Sequence, residues 1–500
     1  MRCICLSLLV LIVVQGCRSE RATVTPADLY IKDVTVVSFD AAPNAAIRDV
    51  LIRDGKIVFV GDVADESAVN AVEIIDGRNR FLMPGLIDSH THLNEIPGMT
   101  LQHEESFPGI AAEARRQIPR SYLYHGFTTV IDLNSEPAAI KRWNSQALRP
   151  QAYFCGASPV FDGYPMSFMP KPARYEIMPY FLYDEPRARD FPDTADPRLH
   201  TPQAVVTRIH DDGGICVKTH YERGFGGRGD LPVPTTAQIR QLVAASHDKG
   251  MPVLLHANSE AAQSFGVAAG VDAFAHGIWT WNDRSLTTRP EDIRTLVAAA
   301  IDQGIALQPT IQVLHGEQDL HNPDFFDDPR LEHVLPNSLI EWYQSPPGQW
   351  WAQRMLGIPV VAQLVSEGRW DELDEPPLAR VSAVLELHAN SGGRLLFGSD
   401  TPSDPTYANP PGLNGRIEMD RWIDAGVSPA QLFHAATLGN AKFFGLETTI
   451  GTVEIGKRAD LLLLKENPLH GVAAYDSIDY VILSGKLVAR SSLSALADAR

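Results

Sequence analysis

Eight short apolar runs recur through the middle of the chain, at 81–92, 127–132, 152–157, 214–220, 252–256, 273–276, 305–309 and 394–400. Amphipathic, helix-patterned segments fall between several of them, as at 110–124, 236–249 and 291–303. Apolar strands that alternate with helical crossovers pair in parallel, because a parallel pair cannot be joined by a tight turn. Eight such units predict a closed (β/α)₈ barrel, whose chemistry sits at the C-terminal ends of the strands. The 500 residues hold such a barrel with an addition.

The addition is read at both ends. Short strands and tight turns fill 27–80, including the hairpin turn at Asp54-Gly55, and return in 448–500 around Gly456 and Gly485. The expected arrangement is an α/β chain. Its barrel occupies 81–447, and a small flanking β-sandwich is composed of 27–80 and 448–500. Two connections, 159–201 and 315–391, are too long for simple turns. They are expected as partly helical insertions over the barrel mouth; for the second, a buttress on the outside is an equal alternative.

Arg2, the apolar run 6–14 and Gly16-Cys17 form a basic start, a short hydrophobic core and a small residue before a cut. Residues 1–17 are therefore expected as a secretory signal whose end resembles a bacterial lipobox, with 18–26 as a polar tether. That places the mature protein outside the cytoplasm, as a periplasmic or cell-envelope lipoprotein. It would meet membrane only through lipid on Cys17. The net charge of −18, with no basic stripe, argues against nucleic acid as a partner. Once the signal is gone, Cys155 and Cys216 remain. Both lie in apolar runs and are expected as two free, buried thiols.

The chemistry lies where the apolar runs stop. Along a strand, side chains alternate faces, so His90 and His92 share one and form half of a metal site. Lys218, His256, His276 and Asp400 each follow an apolar run at the expected mouth. A strand-end histidine taken singly is as readily a hydrogen-bonded structural residue; four separate runs ending in ligand-competent groups form a pattern. Asp88 shares the strand with His90 and reads either as orienting a histidine or as a structural hydrogen-bond acceptor. His220, Tyr221 and Arg223 follow Lys218 and are candidates for substrate binding by position alone.

These residues resemble the amidohydrolase superfamily, the metal-dependent TIM-barrel hydrolases. Pro84-Gly85-Leu86-Ile87-Asp88-Ser89-His90-Thr91-His92 resembles its first-strand signature, and 126–132 its second strand. The stretches 435–442 and 451–461 resemble its closing helix and β-domain return. The resemblance implies two divalent metal ions, most commonly zinc. His90, His92 and Asp400 would hold the first and His256 and His276 the second. Lys218, carboxylated by CO₂, would bridge them. A lysine in that place is similar to the prolidase-like and Xaa-amino-acid dipeptidase subgroup, although Thr219-His220-Tyr221-Glu222 departs from its commonest form.

The expected function is hydrolysis of the C–N bond of an amide, in dipeptides or N-acyl amino acids, with Asp400 moving the proton. The alternatives are a mononuclear deaminase-type enzyme and a metal-binding surface lipoprotein without turnover. The partner is a small-molecule substrate, with homo-oligomerisation left open.

Overall fold

The computed structural model describes residues 25–38, 44–64, 66, 69–171, 173–225, 229–283, 285 and 290–497. The signal segment 1–17 and tether residues 18–24 lie outside them. Five strands open the chain: β1 (Thr25–Ser38), β2 (Asn44–Arg53), β3 (Lys56–Gly61), β4 (Val69–Asp76) and β5 (Phe81–Pro84). Seven parallel strands follow: β6 (Leu86–Thr91), β7 (Phe127–Asp132), β8 (Gln151–Ala157), β9 (Cys216–His220), β10 (Val253–His256), β11 (Ala273–Ala275) and β12 (Ala306–Gln308). Near the C-terminus come β13 (Leu461–Leu464), β14 (Ile478–Leu483) and β15 (Lys486–Ala489).

The flanking unit is built from both ends of the chain, as expected, and forms one connected sheet. Its order is β15-β14-β13-β5-β1-β2-β3, with β4 paired to β1. The long β1 changes register between Ile31 and Val34, and β4 pairs before that shift while β5 pairs after it. The stretch read as one strand over 81–92 is therefore two. β5 belongs to the flanking sheet, through β13, and β6 opens the barrel by pairing with β7. Gly85 makes the step between them. A Cβ there would meet the Thr128 hydroxyl at 2.0 Å.

Strands β6 to β12 pair in sequence order. The eighth run, 394–400, closes the curve without forming a full strand. Leu307 N donates to Arg394 O (2.9 Å), Ser89 N to Phe397 O (3.1 Å) and Asp400 N to His90 O (2.8 Å). Inside, Ile87, Ile131, Cys155, Cys216, Leu254, Ala273, Ala306 and Leu396 join one buried cluster, a residue from each of the eight runs, capped below by Phe443 and Phe444. A barrel filled by layers of side chains is a packed core with a floor, and what lies two residues further along each strand faces the mouth.

Helices Pro202–Asp211, Thr236–His247 and Glu260–Ala269 run between strands, and Thr201, Thr235 and Ser259 cap their first turns by accepting a backbone N–H. Among the described residues no helix is long and apolar enough to cross a membrane.

The reading of Cys155 and Cys216 as free thiols is overturned, since they form a disulfide. They are directly paired in the β8–β9 register, and both point into the barrel floor with Cα atoms 4.4 Å apart. Burial in apolar runs was rightly inferred for each. What was missed is the strand register that puts them side by side.

Candidate metal centre at the barrel mouth

The six residues singled out at the strand ends converge. Oδ1 of Asp400 lies 3.0 Å from Nε2 of His90 and 3.0 Å from Nε2 of His92, and ligand atoms of these three residues all fall within 4.8 Å of one another. Lys218 Nζ is 3.5 Å from His90 Nε2. His276 Nδ1 is 3.7 Å from Asp400 Oδ2, and the His256 ring centroid is 4.6 Å from that of His276.

Local sequence explains the placement. Lys218 lies two residues beyond Cys216 on β9, so it points into the same barrel interior one layer higher. The pairing of β6 with β7 slips register between Asp88 and Thr91, around His90. Irregularities of this kind re-aim side chains beside active sites. Gly398 leaves room for the result, because a Cβ there would lie 2.7 Å from His90 Cβ and 2.7 Å from Gln308 Nε2. His276 and Asp400 both adopt positive φ, 82° and 55°. Non-glycine residues held in that region cluster at active sites.

Electrostatically the centre is a buried set of mostly neutral nitrogen donors around one anion. Burial lowers His90 to about 3 and holds His220 and His276 well below the usual imidazole value. Burial also opposes charge on His92, but the adjacent Asp400 carboxylate prevails and raises it to about 9. Burial works against charge on Asp400 too, and the histidines around it overcome this and keep it ionised. Lys218 is lowered by burial to about 7, so a large fraction of its amine is uncharged near neutrality. The buried Nε2 of His256 has no hydrogen-bond partner, a costly state for a polar atom without a ligand.

The remaining candidates separate. His220 stays at the mouth, its ring 5.8 Å from His256 and its buried Nδ1 unpaired. Tyr221 packs on Phe265 of helix Glu260–Ala269, and Arg223 lies over the Tyr221 ring; neither is among the contacts of the cluster. Asp88 does not touch a histidine ring. It accepts from the backbone N–H of His90 (3.2 Å) and of Ser399 (2.9 Å), which ties the first run of the barrel to the eighth.

Several groups at the mouth had no strand-end signature. Glu222 lies 3.6 Å from His256 Nε2. The Thr310 hydroxyl is 2.8 Å from His276 Nδ1. Tyr164 lies against His256 and His220, with ring centroids 4.7 and 5.8 Å away. Glu95 and Asp404 are open to solvent yet surrounded by protein, and burial raises Glu95 to about 7. Asp404 lies beside Glu317, and burial raises both; Asp404 raises Glu317 further, whereas the Glu317 side chain lowers Asp404.

A parallel barrel with histidines, a lysine and an aspartate converging at the C-terminal ends of its strands defines a metal-binding barrel of the hydrolytic type. Two models described as "Amidohydrolase family" match the chain, one over residues 215–489 and one over 81–316, and the chain belongs to that family. It is 35% identical over 123 residues to D-hydantoinase of Geobacillus stearothermophilus, an alignment covering 23% of each chain. It is 33% identical over 118 residues to allantoinase of Salmonella choleraesuis (strain SC-B67), covering 23% of this chain and 22% of the relative. The chain thus spans less than a quarter of the length of these curated relatives.

Similar solved structures include a Xaa-Pro dipeptidase with bound methionine (TM-score 0.60, 18% identity, 92% of this chain and 99% of that one). A. niger ochratoxinase is comparable (TM-score 0.62, 18% identity, 92% and 95%). So is a prolidase complexed with N-methylphosphonate-L-proline (TM-score 0.63, 19% identity, 92% and 99%). At these identities the likeness is one of fold.

Proposed function

We propose that this chain is an exported, metal-dependent hydrolase that cleaves the amide C–N bond of dipeptides or N-acyl amino acids. The observation that carries this reading is the meeting of His90, His92, Lys218, His256, His276 and Asp400, from separate barrel runs, at one point. Imidazole and carboxylate donors suit zinc, and also manganese or iron, and His256 Nε2, buried without a hydrogen bond and with the Glu222 carboxylate 3.6 Å away, is the kind of donor that a metal satisfies. His90, His92 and Asp400 would hold the first ion and His256 and His276 the second. When bound, such ions acidify a water and polarise a carbonyl.

The chain's own residues do the rest. Asp400 Oδ1 is shared by two histidines, so Oδ2 is the atom left to accept the water's proton and return it to the leaving nitrogen. The Lys218 amine, lowered by burial to about 7, would add in its neutral form to CO₂: the N–C bond forms as one C–O π bond opens onto oxygen, the nitrogen releases a proton to solvent, and a carbamate anion replaces the neutral amine. Thr310 holds the His276 ring through a hydrogen bond at Nδ1.

Export by the 1–17 segment is supported by the Cys155–Cys216 disulfide, because such bonds persist in oxidising compartments; lipid on Cys17 rests on the lipobox-like Gly16-Cys17 alone. Labelled fatty acid retained by the wild type and lost in Cys17→Ser tests the anchor.

The deciding experiment screens dipeptides and N-acyl amino acids against protein loaded with zinc in bicarbonate, with metal content measured in parallel. The expected result is hydrolysis, two metals per chain, and a CO₂ adduct mapped to Lys218. Asp400→Asn should lower kcat by about 10²–10⁴-fold with the circular dichroism spectrum unchanged; retained activity would sink the mechanism. A second reading, a one-metal deaminase-type enzyme, draws on one observation: among the described residues, His90, His92 and Asp400 are the only three histidine, cysteine or carboxylate side chains whose ligand atoms all lie within 4.8 Å of one another. One metal per chain and an unmodified Lys218 would establish it. No turnover on any amide would leave a metal-binding surface protein.

A further inference from the structure

We propose that Glu222 is a third protein ligand of the second metal ion. With His256 and His276 it completes a set of two imidazoles and one carboxylate, which holds that ion whether or not Lys218 carries a carbamate. The inference rests on the two-metal reading above.

The barrel leaves the second position short of donors. The first has His90, His92 and Asp400, whereas the second has His256 and His276 alone until CO₂ adds to Lys218. Zinc in catalytic sites is ordinarily held by three protein groups with a further position open to water, and two histidines and a glutamate are one such set. Glu222 is the carboxylate that stands against His256.

Backbone register puts it there. His220 on β9 lies directly beside His256 on β10, and Tyr221 N donates to His256 O (3.1 Å), so the pairing runs one residue past the strand end. Glu222 comes next. Gly224 N donates to its Oε1 (2.7 Å), which fixes one carboxylate oxygen and leaves Oε2 3.6 Å from His256 Nε2. The stretch 219–222 is also where the sequence departs from the commonest prolidase-like form.

This pair is not explained by a direct bond between its members. Both residues are deeply buried, Glu222 with 8% and His256 with 4% of its surface exposed. A separation of 3.6 Å is too long for a hydrogen bond, and Nε2 makes none. Among the described residues no lysine or arginine forms an ion pair with Glu222, and a buried carboxylate without a compensating partner is costly. One zinc ion binds imidazole nitrogen at about 2.0–2.1 Å and carboxylate oxygen at about 2.0–2.2 Å, so two of its ligands in tetrahedral arrangement stand roughly 3.4 Å apart. The His256 and Glu222 atoms have the spacing of ligands that share an ion. Among the described residues only His90, His92 and Asp400 gather all their ligand atoms within 4.8 Å, so the second position is the looser of the two and the one a lost ligand empties.

The test measures metal rather than turnover. Metal-free wild type is compared with Glu222→Gln, which keeps the shape and a carbonyl acceptor but removes the anionic donor. Both are titrated with zinc against a chelator, in CO₂-free buffer and again in bicarbonate. Without CO₂ the wild type should bind two ions per chain. The variant should keep one, its second ion weakened by more than the roughly 10–100-fold that loss of an orienting partner costs, with the circular dichroism spectrum unchanged. Lys218→Met, which forms no carbamate, should still bind two. Cobalt at concentrations that fill both positions should give Glu222→Gln a visible spectrum different from that of wild type, because the donors differ. The proposal is overturned if wild type needs bicarbonate for its second ion or if Lys218→Met loses that ion. It is also overturned if Glu222→Gln binds the ion within tenfold of wild type, or if the cobalt spectra superimpose. A wild type that holds one zinc even in bicarbonate removes the two-metal reading itself, and this inference with it.

Discussion

Nδ1 of His276 and Oγ1 of Thr310 are 2.8 Å apart, and both residues hold positive φ, 82° and 50°. Two adjacent strand ends are bent into the left-handed region so that one side chain can fix the other. With Nδ1 engaged by the hydroxyl, Nε2 of His276 is the nitrogen left for a ligand. Partners of this kind behind a ligating histidine typically contribute 10–100-fold in metal affinity. Thr310→Val keeps the β-branch and removes the hydroxyl. In a chelator-competition titration it should weaken one metal by about that factor while the other, on His90, His92 and Asp400, is retained. Equal loss of both, or of neither, would show that Thr310 does not act through His276.

The Cys155–Cys216 bond closes 61 residues of chain inside the barrel floor, directly beneath Lys218. The loop-closure model assigns such a bridge about 4 kcal/mol of stability. Cys155→Ala/Cys216→Ala should therefore melt well below the wild type. Both sulfurs are fully buried, so a reductant added to the folded protein should leave the melting temperature unchanged, and the same reductant added during refolding should reproduce the double variant. Ready reduction in the native state would contradict this placement.

Glu418 joins the eighth barrel unit to the loop that carries Thr310. Its carboxylate accepts from Ile311 N (3.0 Å), Gln312 N (2.6 Å) and the Trp422 indole (2.8 Å). Burial nevertheless raises it from 4.5 to about 7. The folded state therefore holds this proton more tightly than the unfolded state. Its contribution to stability is fully present below 4.5 and is lost as pH rises through 7, roughly 3 kcal/mol in all. The stability advantage of wild type over Glu418→Gln should shrink by about that amount between pH 4.5 and 8 in denaturant titrations. An advantage that grew with pH would mean that the three donors outweigh burial.

How much of this could be read beforehand follows from where each residue sits. The strand-end ligands were legible because an apolar run of known period ends in a polar group, and period together with barrel geometry gives direction. Tyr221 and Arg223 show the limit of adjacency. They follow Lys218 in sequence, but the strand has ended at His220, and their side chains pack on Phe265 and on each other. Tyr164, Thr310, Glu222 and Glu95 lie in or beside loops, where no periodicity fixes orientation. The disulfide depends on register between β8 and β9, a long-range property. The eighth barrel run was legible as apolar sequence, while its reduction to isolated bridges at Leu395 and Thr401, with Asp400 at positive φ between them, was announced by no pattern.

The mouth also carries a charge imbalance. Glu95, Glu317, Asp374 and Asp404 face the same opening or act on one another there, and among the described residues none forms an ion pair with lysine or arginine at the site. Arg223, the cation nearest in sequence to the bridge lysine, is engaged on Tyr221. Burial raises these carboxyls, Glu95 to about 7, so their negative charge develops as pH rises above neutrality; in that alkaline range a cleft lined by one sign of charge raises the local concentration of the opposite sign and the rate at which it arrives. Among substrates of equal length, those with a lysine or arginine side chain should exceed those with aspartate or glutamate in kcat/KM by at least about tenfold at low salt. The gap should narrow toward 1 M salt, where the screening length falls to about 3 Å. It should narrow likewise in Glu317→Gln/Asp404→Asn, with wild-type turnover of uncharged dipeptides retained. A preference for acidic substrates, or one insensitive to salt and to this variant, would show that these carboxylates do not reach the bound molecule.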